Sequence, residues 1–212
     1  MYLENQPILQ KLYTLAIWIS RLATVNLLWL SFTVLGLGLF GIGPATAAMS
    51  AVISRWIDSD ISFSIVRVFV SVFRKYFFKT NLIFLSLALI ASVLVYNYAF
   101  IEANNLPVFY RVVTLAMGVI HLLMSIIIIP LYTNNDVGIV TLFKTSALFV
   151  VGYPVNSIII AVTAAGLIII QLFMPGLLFF FSGSGITFVV VLRMKKAIAK
   201  TRAIQNERLE NT

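Results

Sequence analysis

Seven carboxylates and one imidazole are the side chains from which acid–base or metal chemistry would first be built in this chain, and there is no thiol. The acids are Glu4, Asp58, Asp60, Glu102, Asp136, Glu207 and Glu210, and none falls inside an apolar stretch. Paired-carboxylate catalysis needs two acids held together, and ion-coupled carriage needs one inside the membrane. His121, the single histidine, has no embedded acidic partner in its own hairpin, so no Ser-His-Asp relay is indicated. It could relay a proton or bind a ligand, or it could be a neutral imidazole hydrogen-bonded within a bundle. The missing cysteines exclude disulfides and thiolate metal sites, and one histidine excludes a multi-histidine centre. The expectation is a non-enzymatic protein with no metal and no cofactor.

Glycine supplies the next motif. Gly36-x-Gly38-x-x-Gly41 matches the dinucleotide fingerprint by letter. That fingerprint works only between a strand and a helix, with an acid about 20 residues on. Here it closes an apolar helix, so a turn with close helix packing is expected instead. Gly43-Pro44-Ala45-Thr46 could present helix-start N–H groups to an anion or a sugar hydroxyl, or could simply start a helix whose small face packs on a neighbour. Asn26, Trp29, Gly41, Gly43, Pro44 and Thr46 therefore form the stretch to watch.

The elements that must position these residues are membrane helices. Hydrophobic residues are 61% of the chain, charged residues 10%, and the mean hydropathy is +1.03. A soluble domain carries about 25% charged residues, so 22 charges cannot cover a soluble surface here. The expected fold is an all-α polytopic membrane bundle of 212 residues in one domain. It has five full spans and a short Pro44–Trp56 helix that is a sixth span or a half-span. A first hairpin covers 15–57, with Gly36–Gly43 as its turn and Pro44 at the first position of the returning helix. Residues 62–80 read as a basic amphipathic helix in the headgroup plane, with Arg67, Arg74, Lys75 and Lys79 on one stripe and Asn81 at its end. A second hairpin covers 82–132, a second interfacial helix 137–151 and a third hairpin 155–193. The last of these passes through Ser182-Gly183-Ser184-Gly185, a flexible point within the Leu177–Leu192 span. A basic tail, 194–212, follows. Asn26, Asn97, Asn156 and Gln171 are the polar groups able to bridge helices.

The net charge of +8 points to a bilayer surface rather than to nucleic acid. If 44–56 spans, both termini lie inside with 14 of the 15 cations, and Arg111 alone lies outside. With five spans and the N-terminus outside, the split is 12 to 3. Both obey the positive-inside rule and the first obeys it better, giving a cell-membrane protein with cytoplasmic N- and C-termini.

Asn26-Leu27-Leu28-Trp29-Leu30, with Gly41-x-Gly43-Pro44-Ala45-Thr46-Ala47-Ala48 after it, resembles the YesL-like family of bacterial membrane proteins. Phe69, Phe73-Arg74-Lys75 and Phe77-Phe78-Lys79-Thr80-Asn81 are similar to that family's aromatic-basic helix, departing slightly at Lys79-Thr80-Asn81. Residue-level similarity is confined to about 26–81, while the hydrophobic layout extends over the whole length. The resemblance implies a largely uncharacterised membrane protein encoded near carbohydrate uptake loci, often beside ABC-transporter permeases. It therefore implies an accessory subunit that partners permease or ATPase subunits of a saccharide importer, and it carries over no catalytic residues. A stand-alone channel or carrier using the Gly36–Pro44 turn and His121, and a membrane assembly or stress factor, are the alternatives.

Overall fold

The computed structural model describes the backbone of residues 7–135 and 137–210. Glu4 and Asp136 lie outside the described residues, as do the side chains of Arg202, Glu207, Arg208 and Glu210. The described chain is entirely helical: α1 Pro7–Leu35, α2 Leu39–Ile57, α3 Ile65–Ala103, α4 Val108–Asn135, α5 Ile139–Gly152, α6 Pro154–Phe173, α7 Gly176–Phe181 and α8 Ser184–Glu210. Ile8–Leu35, Ile65–Ala103, Val108–Thr133 and Pro154–Phe173 are long and apolar enough to cross a membrane, so the chain is a membrane-embedded helical bundle.

α2 is the centre of the bundle. Its sequence is rich in Gly, Ala and Ser, so backbones approach it closely, and it packs on α1, α3, α4 and α8. Ala45, Ala47, Ala48, Val52 and Ile53 are fully buried. Around it the outer faces remain apolar. Leu85, Leu89, Val93 and Tyr96 on α3 and Leu115, Val119 and Leu122 on α4 are exposed, a surface suited to lipid rather than to water.

Several expected boundaries are corrected. The turn between α1 and α2 is only Gly36–Gly38, with Leu37 (φ 59°) and Gly38 (φ 70°) in the left-handed region. Gly41 and Gly43 lie inside α2. Pro44 is also inside, not at the first helical position, because the helix already starts at Leu39. The short 44–56 helix is thus 19 residues long, but it is not among the four helices apolar enough to span.

Asn81 does not end the basic helix, since α3 runs unbroken for 39 residues. At about 1.5 Å per residue that is about 58 Å, nearly twice a hydrocarbon core. The apolar part, 82–101, suffices for one crossing, and Arg67, Arg74, Lys75 and Lys79 stand on the remainder rather than on a separate 62–80 helix. Asn81 is tolerated because its Nδ2 donates to Phe77 O (2.9 Å) and Phe40 O (3.1 Å). Phe40 is four residues before Pro44, which has no N–H to return to it. Asn81 therefore fills the bond that Pro44 leaves open. We expect Asn81→Leu to destabilise the bundle by about 1 kcal/mol and to cost little once Pro44→Ala has restored the backbone donor. Thermal unfolding of the two single variants and the double variant in detergent measures this coupling; additive losses would refute it.

The fifth span is the third correction. Residues 177–192 are not one helix but α7, a break, and the start of α8, and this stretch is not among the helices long and apolar enough to cross a membrane in the described residues. α5 is a separate helix of 14 residues, and α1 and α2 pack on each other across their short turn.

Candidate functional site: a spliced helix break

The break between α7 and α8 lies against Asn26, which is fully buried midway along the apolar part of α1. In a continuous helix Gly183 N–H would donate to Phe179 O. Here Gly183 N–H and Ser184 N–H both donate to Asn26 Oδ1, each at 3.0 Å. Asn26 Nδ2 donates in turn to Phe179 O at 2.8 Å, with longer contacts to Leu178 O (3.4 Å) and Ser182 Oγ (3.3 Å). The carboxamide is thus inserted into the hydrogen-bond ladder, and each half of the opened bond meets the end of the amide that complements it. Only a side-chain amide carries donor and acceptor in that arrangement. Side-chain insertion into the ladder is a recognised cause of helix kinks.

Trp29, one turn along α1, holds the same junction. Its Nε1–H donates to Thr46 Oγ1 (3.0 Å), whose hydroxyl donates to Ile42 O (2.7 Å). A Cβ on Gly183 would lie 3.0 Å from Met49 Cε and 3.3 Å from the Trp29 ring, so the glycine lets the broken helix close onto α1 and α2. Asn26, Trp29 and Thr46 are therefore brought together, as their shared stretch of sequence invited. Gly183 and Ser184 were legible only as a flexible point; nothing in the sequence paired them with Asn26 across more than 150 residues.

The remaining residues go elsewhere. Gly41 packs on the α1 backbone at Thr33, Gly43 on the Thr80 and Phe84 side chains, and Pro44 is buried within α2. His121 is half-buried on α4, and its ring makes no hydrogen bond among the described residues. Asn97 accepts from Thr114 Oγ1 (3.2 Å), which with the Glu102–Arg111 ion pair (3.1 Å) closes the end of the α3–α4 hairpin. Gln171 is buried with Nε2 unpartnered among the described residues.

Cations gather around the end of α2 and along the first half of α3. Arg21 lies over the rings of Trp18 (5.7 Å) and Trp56 (5.6 Å), joining the middle of α1 to the end of α2. Lys195 of α8 pairs with Asp58 and donates to Ser54 O (3.1 Å) at that same end. Arg67, Arg74, Lys75 and Lys79 are exposed on the first four turns of α3, with Lys75 Nζ 4.8 Å from the Tyr76 ring centroid. Among the described residues no cluster of acids and histidines could hold a metal.

Comparison with known proteins adds sequence relatives. The family model of a protein of unknown function, DUF624, matches residues 22–98, a stretch holding Asn26, Trp29, Thr46 and Asn81 but not Gly183 or Ser184. The chain is 32% identical over 187 residues to the uncharacterized protein YteU of Bacillus subtilis (strain 168), covering 88% of this chain and 84% of that one. It is 28% identical over 180 residues to the uncharacterized protein YesL of that organism (85% and 86%) and 27% over 187 to YesV (87% and 90%). No solved structure matches it.

Proposed function

This chain belongs to the YesL-like family, DUF624, and on that footing we propose that it is a non-enzymatic partner subunit of a carbohydrate ABC import system. The observation that carries the docking part is the charge of α3. Between Asp60 and Glu102 the sequence has no acid, so Arg67, Arg74, Lys75 and Lys79 put a run of four cations on α3, and Lys195 of α8 reaches the end of α2 from which α3 sets out. A run of one sign suits an acidic protein surface and speeds its encounter. The saccharide importer itself rests on the family resemblance. By the positive-inside rule this end and both termini face the cytoplasm across the cell membrane.

Affinity purification of the tagged full-length protein in mild detergent is expected to recover permease or ATPase subunits. Arg67→Glu should lower that recovery about tenfold without moving the melting temperature, since its side chain is exposed. Recovery of the protein alone, together with wild-type sugar uptake in a deletion strain, would remove the proposal.

One observation favours a second reading, a self-contained carrier. Discontinuous helices at mid-membrane depth are where many transporters bind solute, and α7–α8 is one. It requires solute flux in liposomes; an absence of flux for sugars and ions decides against it.

A further inference from the structure

A cleft of about 510 Å³ opens between the α1–α2 turn and the first half of α3. Its volume falls in the range of about 300–1,000 Å³ common for ligand sites. Phe32, Phe40, Phe73 and Phe77 form its walls, and Arg74 is its single charged residue. Arg74 is exposed and makes no ion pair or hydrogen bond among the described residues.

The rim shows what medium the cleft faces. Leu35, Leu37 and Leu39 at the turn are 73%, 83% and 67% exposed, and Phe78 is 83% exposed on α3. A turn in water would present polar side chains; this one presents none. Its backbone can nevertheless leave water. Gly36 N–H donates to Phe32 O, Leu37 N–H to Val34 O, and Gly38 N–H to Thr33 O, while Gly41 and Ile42 N–H both return to Gly38 O. Five amides of the turn and helix start are thus satisfied internally, and only the Leu39 and Phe40 N–H groups are left without a side-chain cap, which lowers the cost of hydrocarbon contact. An aromatic slot open to lipid, with one guanidinium on its wall that is unpaired among the described residues, is complementary to an amphiphile with an acyl chain and an anionic head.

We propose that this cleft is a specific site for one anionic phospholipid, with an acyl chain between the phenylalanines and the phosphate on Arg74. The Arg74 guanidinium, the single charge on the cleft wall, selects an anionic over a zwitterionic head.

The test uses the full-length protein in nanodiscs of equal phosphatidylglycerol and phosphatidylcholine, followed by native mass spectrometry of the lipid retained. Wild type should keep one phosphatidylglycerol per chain with about fivefold preference, the effect of about one cation near a bilayer surface. Arg74→Gln should lose that preference, while Arg74→Lys and Arg67→Gln, the latter two turns away from the cleft, should keep it. Equal retention of both lipids by wild type overturns the proposal, as does an equal loss in Arg67→Gln. The chain has no cysteine, so Leu37→Cys gives a unique thiol for a further check. Its efficient cross-linking between copies in phosphatidylglycerol nanodiscs would show protein, not lipid, over the cleft and also overturn it.

Discussion

Asn26→Leu is expected to lower the stability of the bundle by about 2–4 kcal/mol and to open the chain to protease near Ser182–Gly185. Side chain to side chain hydrogen bonds between membrane helices average only about 0.6 kcal/mol, which would make this a mild substitution. The partners here are backbone groups, however. Removing the amide strands Gly183 N–H, Ser184 N–H and Phe179 C=O in an apolar interior, where each unsatisfied group costs several kcal/mol. The helix can recover part of this by straightening until Gly183 bonds Phe179 directly, but it then gives up the close contact of Gly183 with Trp29 and Met49. The net loss therefore falls below the sum of the stranded groups and above a single bond. Asn26→Asp should cost a comparable amount for a different reason. It keeps the acceptor for both N–H groups and sets an oxygen against the Phe179 carbonyl. Unfolding in detergent together with timed proteolysis reads both variants; a melting temperature for Asn26→Leu equal to wild type would show that the splice is not structural.

Gly41→Ala is the second large effect, expected to cost upwards of about 3 kcal/mol. A Cβ there would lie 2.4 Å from Thr33 O and 2.7 Å from Thr33 Cα, both backbone atoms of α1 with no rotamer to change. Overpacking against side chains typically costs about 1–3 kcal/mol; against backbone the hairpin itself must part. The companion contact is Gly36, whose Cβ would sit 2.5 Å from Gly41 Cα. Gly118→Ala and Gly166→Ala are the controls, because a Cβ at either position meets nothing within 4 Å. These should raise stability by up to about 1 kcal/mol through the usual helix preference for alanine. Equal melting temperatures for Gly41→Ala and the two controls would contradict the close α1–α2 contact.

Legibility from sequence followed the range of each interaction. Composition alone placed the chain in a membrane, because 22 charges cannot cover a soluble surface. That the chain turns after Gly36 was legible because the signal is local, although the turn ends at Gly38 rather than at Gly43. Pro44 and Asn81 misled for a common reason. Each is a helix-end residue when read alone, and each is accommodated inside a helix because the other is present in space. The α7–α8 break was read as flexibility because its glycines and serines are visible in the sequence and its distant amide is not. His121, conspicuous as the single histidine, stands on α4 apart from the junction, so rarity of a residue type did not mark the site.

The Asn26 junction also has a consequence for how the protein is made. Its five hydrogen bonds join positions 152–158 residues apart, so α1 leaves the ribosome long before the groups that complete it. Throughout synthesis of α2 to α6 the first helix carries an unmatched amide in the bilayer, an open polar group of the kind that promotes helix association. The α7–α8 break, made after α2 to α6, is thus what closes α1. A chain arrested before Leu178 would keep that amide unmatched, and the synthesis of α7 and the start of α8 separates a closed junction from an open one.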